Sequence, residues 1–74
     1  MNSKIVIHNL AGECTLIVAN ICDILMLEHE TIANDATMNT YNVYIDVDHT
    51  HLVPFMMRFF HKIDNAEYER IEII

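Results

Sequence analysis

Residues Tyr41 to Asp48 read Tyr-Asn-Val-Tyr-Ile-Asp-Val-Asp, and this alternation limits the fold of the 74-residue chain more sharply than any other stretch. Successive side chains of a strand point to opposite faces. Val43, Ile45 and Val47 therefore fall on one side, and Asn42, Tyr44, Asp46 and Asp48 on the other. A strand covered on both sides reads instead as a near-continuous apolar run. The chain must accordingly build a sheet with one buried face and one open face.

The neighbouring segments supply the rest of the layer. Lys4 to His8 is rich in β-branched residues and predicts a short strand, with Asn9 and Gly12 as turn residues after it. From Glu13 to about Asn34 the apolar positions Cys14, Ile17, Val18, Ile21, Leu25 and Ile32 recur at helical spacing, with Cys22 on the margin, and predict one long helix. Glu13 favours its N-terminal dipole, and Asn34 and Asp35 mark its end. A second helix follows Asp48-His49-Thr50-His51, capped by Thr50 or a neighbour, with Pro54 in its first turn. Phe55, Met56, Phe59, Phe60 and Ile63 share its inner face, and Asn65 closes it. Glu67 to Ile74 predicts a last strand, with Ile71 and Ile73 inward and Tyr68, Arg70 and Glu72 outward. The expected architecture is a single domain over residues 1–74 of α/β class, ordered β-α-β-α-β. Its three-stranded sheet carries both helices on one face, and the class becomes α+β if the last strand runs antiparallel.

Charge narrows the function. Eleven acids against four bases give a net charge of -7, while 53% of residues are hydrophobic and only one Gly and one Pro are present. That balance does not describe a disordered chain, which pairs high charge with low hydrophobicity. The four bases, Lys4, Arg58, Lys62 and Arg70, stand singly and form no basic patch, so direct nucleic-acid binding is not expected. An anionic membrane surface would repel the chain, and no cationic amphipathic helix offsets the repulsion. The longest greasy stretch, Leu16 to Leu27, is broken by Asn20 and Asp23 and falls short of the roughly 20 residues that a spanning helix needs. Met1-Asn2-Ser3-Lys4 runs straight into Ile5-Val6-Ile7 without the pattern of a signal peptide. Cys14 and Cys22, eight apart on one helix, would be about 12 Å apart along its axis, too far for a disulfide. Two unpaired, buried thiols fit a cytoplasmic protein.

The densest polar cluster is Asp46-x-Asp48-His49-x-His51. Carboxylates two apart on a strand point the same way, and histidines just beyond could join them around a divalent metal, the weaker of two alternative readings. The plainer reading of the same run is a solvated strand end leading into a helix cap. Ser3 is the only serine and has no nucleophile elbow around it, and Gly12 stands alone where a phosphate loop needs several glycines. His8, His29 and His61 are scattered. The expectation is therefore a protein that is not an enzyme and that needs no cofactor.

Surfaces carry more information than sites. The open sheet face is expected to present His8, Tyr44, Asp46, Tyr68, Arg70 and Glu72, with Asp48 at its edge. Tyr44, Asp46, Asp48, Glu67, Glu69 and Glu72 are the residues expected to bind a partner, a larger protein with a basic surface. On the first helix a second stripe, Leu16, Asn20, Asp23 and Leu27, continuing to Thr31, offers the alternative of a homodimer with a structural or assembly role. By size and charge, though through no motif, the chain resembles the small phage and mobile-element proteins that block a host protein at its nucleic-acid-binding surface. That resemblance implies an acidic inhibitor or regulator, in its narrower form a nucleic-acid mimic.

Overall fold

The computed structural model describes residues 2–35 and 38–74. Six main elements follow one another: β1 (Asn2–Ala11), α1 (Thr15–Leu25), β2 (His29–Asp35), β3 (Thr40–Asp48), α2 (Leu52–Lys62) and β4 (Arg70–Ile73). Short 3₁₀ turns at Gly12–Cys14 and Asn65–Glu67 precede α1 and β4. The four strands form one sheet in the order β2-β3-β1-β4, and every neighbouring pair is antiparallel. Two split β-α-β units are thus interleaved, the ferredoxin-like connectivity. The class is α+β. The parallel three-stranded arrangement expected from the sequence does not form, because a fourth strand occupies what reads as the end of the first helix.

The first helix stops nine residues before its expected end for an identifiable reason. Met26 adopts a left-handed conformation at φ 57°. Its N–H donates to the Asp23 carbonyl at 3.2 Å, and the Leu27 N–H reaches back to the Cys22 carbonyl at 2.8 Å. This pair of bonds is the Schellman stop, and Leu27 seals it by packing partly buried against the core. Ile32 had extended the helical stripe by coincidence of spacing. In the structure it lies on β2, opposite Asn42 of β3. Met26 itself is 91% exposed and loses no packing if shortened. Met26→Gly is expected to raise unfolding stability by about 0.5–1 kcal/mol, since glycine enters the left-handed region without the penalty of a Cβ. Urea titration followed by circular dichroism measures it.

A second irregularity sets the core face of β1. Ile5 pairs with Ile45 and Ile7 with Val43, but the register then shifts so that Leu10 pairs with Tyr41. Asn9 sits at φ 55° at this point, and its N–H donates to Asn42 Oδ1 at 3.0 Å. One inserted residue moves everything beyond it to the other face. Leu10 therefore rejoins Ile5 and Ile7 in the core, where strict alternation would have turned it outward. At the end of β1, Gly12 donates its N–H to the Asn39 carbonyl at 2.8 Å. A Cβ on Gly12 would run into the end of the exposed Asn39 side chain, which would have to swing aside.

Both helices cover the same side of the sheet. Val18, Ile21 and Cys22 of α1 and Phe55 and Phe59 of α2 meet Ile5, Ile7, Val43, Ile45 and Val47 in one buried cluster. Pro54 lies in the first turn of α2, as expected. Two aromatic assignments change. Phe60 is 57% exposed rather than inward. Tyr68, expected on the open face, precedes β4 and packs edge-on against Phe59, ring centres 5.1 Å apart. Cys14 belongs to the 3₁₀ turn before α1, not to the helix, and both cysteines are buried and unpaired. The strand ends of β1 and β4 are tied by reciprocal backbone bonds between Lys4 and Ile74, at 3.0 and 2.8 Å.

Candidate interaction faces

The face of the sheet away from the helices is built in rows by the strand register. One row runs from Glu30 through Tyr44 and Val6 to Glu72. Asp46 faces Lys4 in the next row, with Glu28 beyond it, since the Asp46 N–H donates to the Glu28 carbonyl at 3.0 Å. In the third row Ile32 neighbours Asn42 and His8 neighbours Arg70. Val6 is buried although no helix covers this side. Its cross-strand neighbours Tyr44 and Glu72 stand within side-chain reach and shield it.

The polar groups of the face are partly engaged with one another. Lys4 Nζ is 3.7 Å from Asp46 Oδ1, and His8 Nε2 is 2.9 Å from Glu72 Oε1. Arg70 lies 3.7 Å from Glu69, which also accepts a hydrogen bond from the Asn9 amide. These pairs are exposed, so each adds little to stability and leaves its carboxylate free to exchange partners. A hollow of about 220 Å³ opens between Lys4, Glu28, Glu30, Tyr44 and Asp46, with His29 on its rim.

The residues expected to bind a partner do not all converge. Tyr44, Asp46 and Glu72 share the open face, Asp48 lies at its end and Glu69 at its β4 side. Glu67 turns toward the helix side, where Cys14 Sγ donates to its Oε2 at 3.7 Å. Glu28 and Glu30 belong to the face and were hidden from sequence reasoning because their segment scanned as helix. Their only signal was the β-branched pair Thr31-Ile32 before the Asn34-Asp35 turn residues.

The Asp46 to His51 run resolves into a hydrogen-bonded turn that leads into α2; the expected side-chain cap from Thr50 or a neighbour does not form, since His51 is the N-cap residue and makes no side-chain cap hydrogen bond. Asp48 Oδ1 accepts from Thr50 Oγ1 at 2.9 Å and from the His51 N–H at 3.0 Å, and lies 2.5 Å from His51 Nδ1. The hydrogen bonds from His51 and then Thr50 hold the Asp48 carboxyl below its ordinary range. Asp46 is drawn instead to Lys4. Among the described residues no three His, Cys, Asp or Glu side chains are grouped to hold a metal ion.

The helix layer presents a different surface. Leu16 and Ile24 of α1 are 79% and 57% exposed, and Met57 of α2 is 68% exposed. The stripe expected through Leu16, Asn20, Asp23 and Leu27 ends at Asp23, because Leu27 lies beyond the helix and leans into the core. Thr31 lies on β2. Among the described residues no helix is long and apolar enough to cross a membrane. Compared with protein families, curated proteins and solved structures, the chain matches none.

Proposed function

We propose that the chain is a non-enzymatic interaction protein, an inhibitor or regulator that binds a basic surface of a larger protein through its open sheet face. One observation carries this reading: Glu28, Glu30, Asp46 and Glu72 surround Tyr44 on a rigid sheet, against only Lys4 and Arg70. Carboxylates steer a cationic partner toward the face, and a tyrosine held by its cross-strand neighbours adds contact area at small entropic cost. The narrower form, in which the target surface is one that binds nucleic acid and the protein acts in the cytoplasm, follows from the same charge logic.

The experiment compares the wild-type chain with Asp46→Lys/Glu72→Lys as bait for a host lysate, then measures affinity for the captured protein. Both substitutions are exposed, so the variant is expected to keep its fold by circular dichroism. Affinity should fall at least about tenfold between about 50 and 500 mM salt, as screening shortens the reach of exposed charges, and the variant should bind about tenfold or more weakly at low salt. Affinity insensitive to salt, or capture unchanged by the double reversal, would sink this reading.

A further inference from the structure

A second surface, on the helix side, is independent of the acidic sheet face. Between α1 and α2 on the outer surface runs a groove of about 430 Å³. Leu16, Asn20 and Ile24, spaced by four on α1, line one wall, with Ile17 half-buried beside them. The opposite wall is Arg58 and Lys62 of α2. Two of the chain's four Lys and Arg residues thus line this groove, and among the described residues no Asp or Glu does. The same two cations also border a hollow with Pro54, Met57 and His61 on the far side of α2.

We infer that this groove docks an acidic amphipathic helix of a partner protein. Two neighbouring helices offer a cleft into which the ridge of a third fits, with apolar anchors four residues apart meeting Leu16 and Ile24. The charge requirement selects the occupant. A cationic wall beside an apolar floor complements a helix whose flank carries carboxylates, and repels one that carries lysines at contact range. A second copy that presents its own groove or its sheet face is a poor fit. Two such grooves face to face would bring Arg58 and Lys62 of both copies to one interface, and the acidic sheet face has no apolar ridge to fill the groove.

The net charge of -7 makes the test discriminating, because bulk electrostatics alone would favour a basic peptide. The probes are two fluorescein-labelled peptides of about 18 residues with identical leucine spacing, one with glutamate and one with lysine at the flanking positions, read by anisotropy near physiological ionic strength, where the Debye length is about 8 Å. The glutamate peptide is expected to bind the wild-type chain more tightly than its lysine twin. Arg58→Glu/Lys62→Glu should weaken the glutamate peptide at least about tenfold and reverse the preference. Asp46→Lys/Glu72→Lys should leave it bound, which separates this groove from the sheet face. Equal binding of the twins, preference for lysine, or indifference to Arg58→Glu/Lys62→Glu overturns the inference. So does a dimer in sedimentation that dissociates in Leu16→Glu/Ile24→Glu, since the occupant is then a second copy.

Discussion

Phe59→Ala is expected to remove about a third or more of the folding stability, while Phe60→Ala, one residue on, barely changes it. Phe59 is fully buried. Its ring stacks on Phe55 at 6.0 Å and meets Tyr68 edge-on at 5.1 Å, so it joins α2 to the segment that leads into β4. Removing such a ring costs about 3–5 kcal/mol through lost transfer energy and the cavity left behind. Scaled by length, the whole domain holds only about 4–11 kcal/mol. Phe60 touches Phe59 edge-on but is 57% exposed, and its truncation should cost under about 1 kcal/mol. Urea unfolding of the two variants by circular dichroism tests the rotation of α2 directly. Equal losses would mean that both rings face inward.

Alkylation of Cys22 in the folded protein is expected to be at least about 100-fold slower than in the denatured chain near pH 8, from ionisation alone. Burial, and then the neighbouring Asp23 carboxylate, push the thiol from its ordinary 9.0 up to about 11. The thiolate fraction near pH 8 then drops from about one in ten to about one in a thousand. Cys22 is also wholly inaccessible, so reaction has to await an opening of the core. Cys14 shares the upward direction, through burial and then Glu67. Because the folded pKa is raised, the folded state holds its proton where the unfolded chain has lost it. This contribution to stability is complete below pH 9.0 and is lost as pH climbs toward about 11. Mass spectrometry after timed iodoacetamide exposure reads the rate, and Cys22→Ala should flatten the alkaline limb of the stability profile. A native rate within a few-fold of the denatured one would contradict the buried placement.

How far the sequence discloses the fold depends on where local pattern and tertiary demand agree. The Tyr41 to Asp48 alternation is decisive because period two has one reading, and the structure places Val43, Ile45 and Val47 in the core as that reading requires. The span from Glu13 to Asn34 is ambiguous because Ile32 falls on helical spacing by chance. The true stop at Met26 carries no glycine, the residue that normally announces a left-handed cap. The strand His29–Asp35 is held by its pairing with β3, and no alternation of its own reveals it. The error propagates into the face, since Glu28 and Glu30 join Tyr44 only once that strand exists. Tyr68 shows the opposite effect. Its parity with Arg70 and Glu72 points outward, but it lies before the strand begins, where parity no longer applies.

The order of the strands also determines when the fold can be completed. β1 lies in the middle of the sheet, yet its partners are β3 and β4, so its pairings reach from Asn2 to Asp48 and from Ile5 to Ile73. The helices and the β2–β3 hairpin draw on near neighbours and are expected to form first, whereas closing long loops carries an entropic cost that only the finished core repays. A hairpin formed ahead of β1 would show Val43, Ile45 and Val47 beside an unpaired edge, the kind of surface on which chains stick together. Mutual repulsion among chains of charge -7 would work against that encounter, so the acidity would serve the chain before it is folded as well as after.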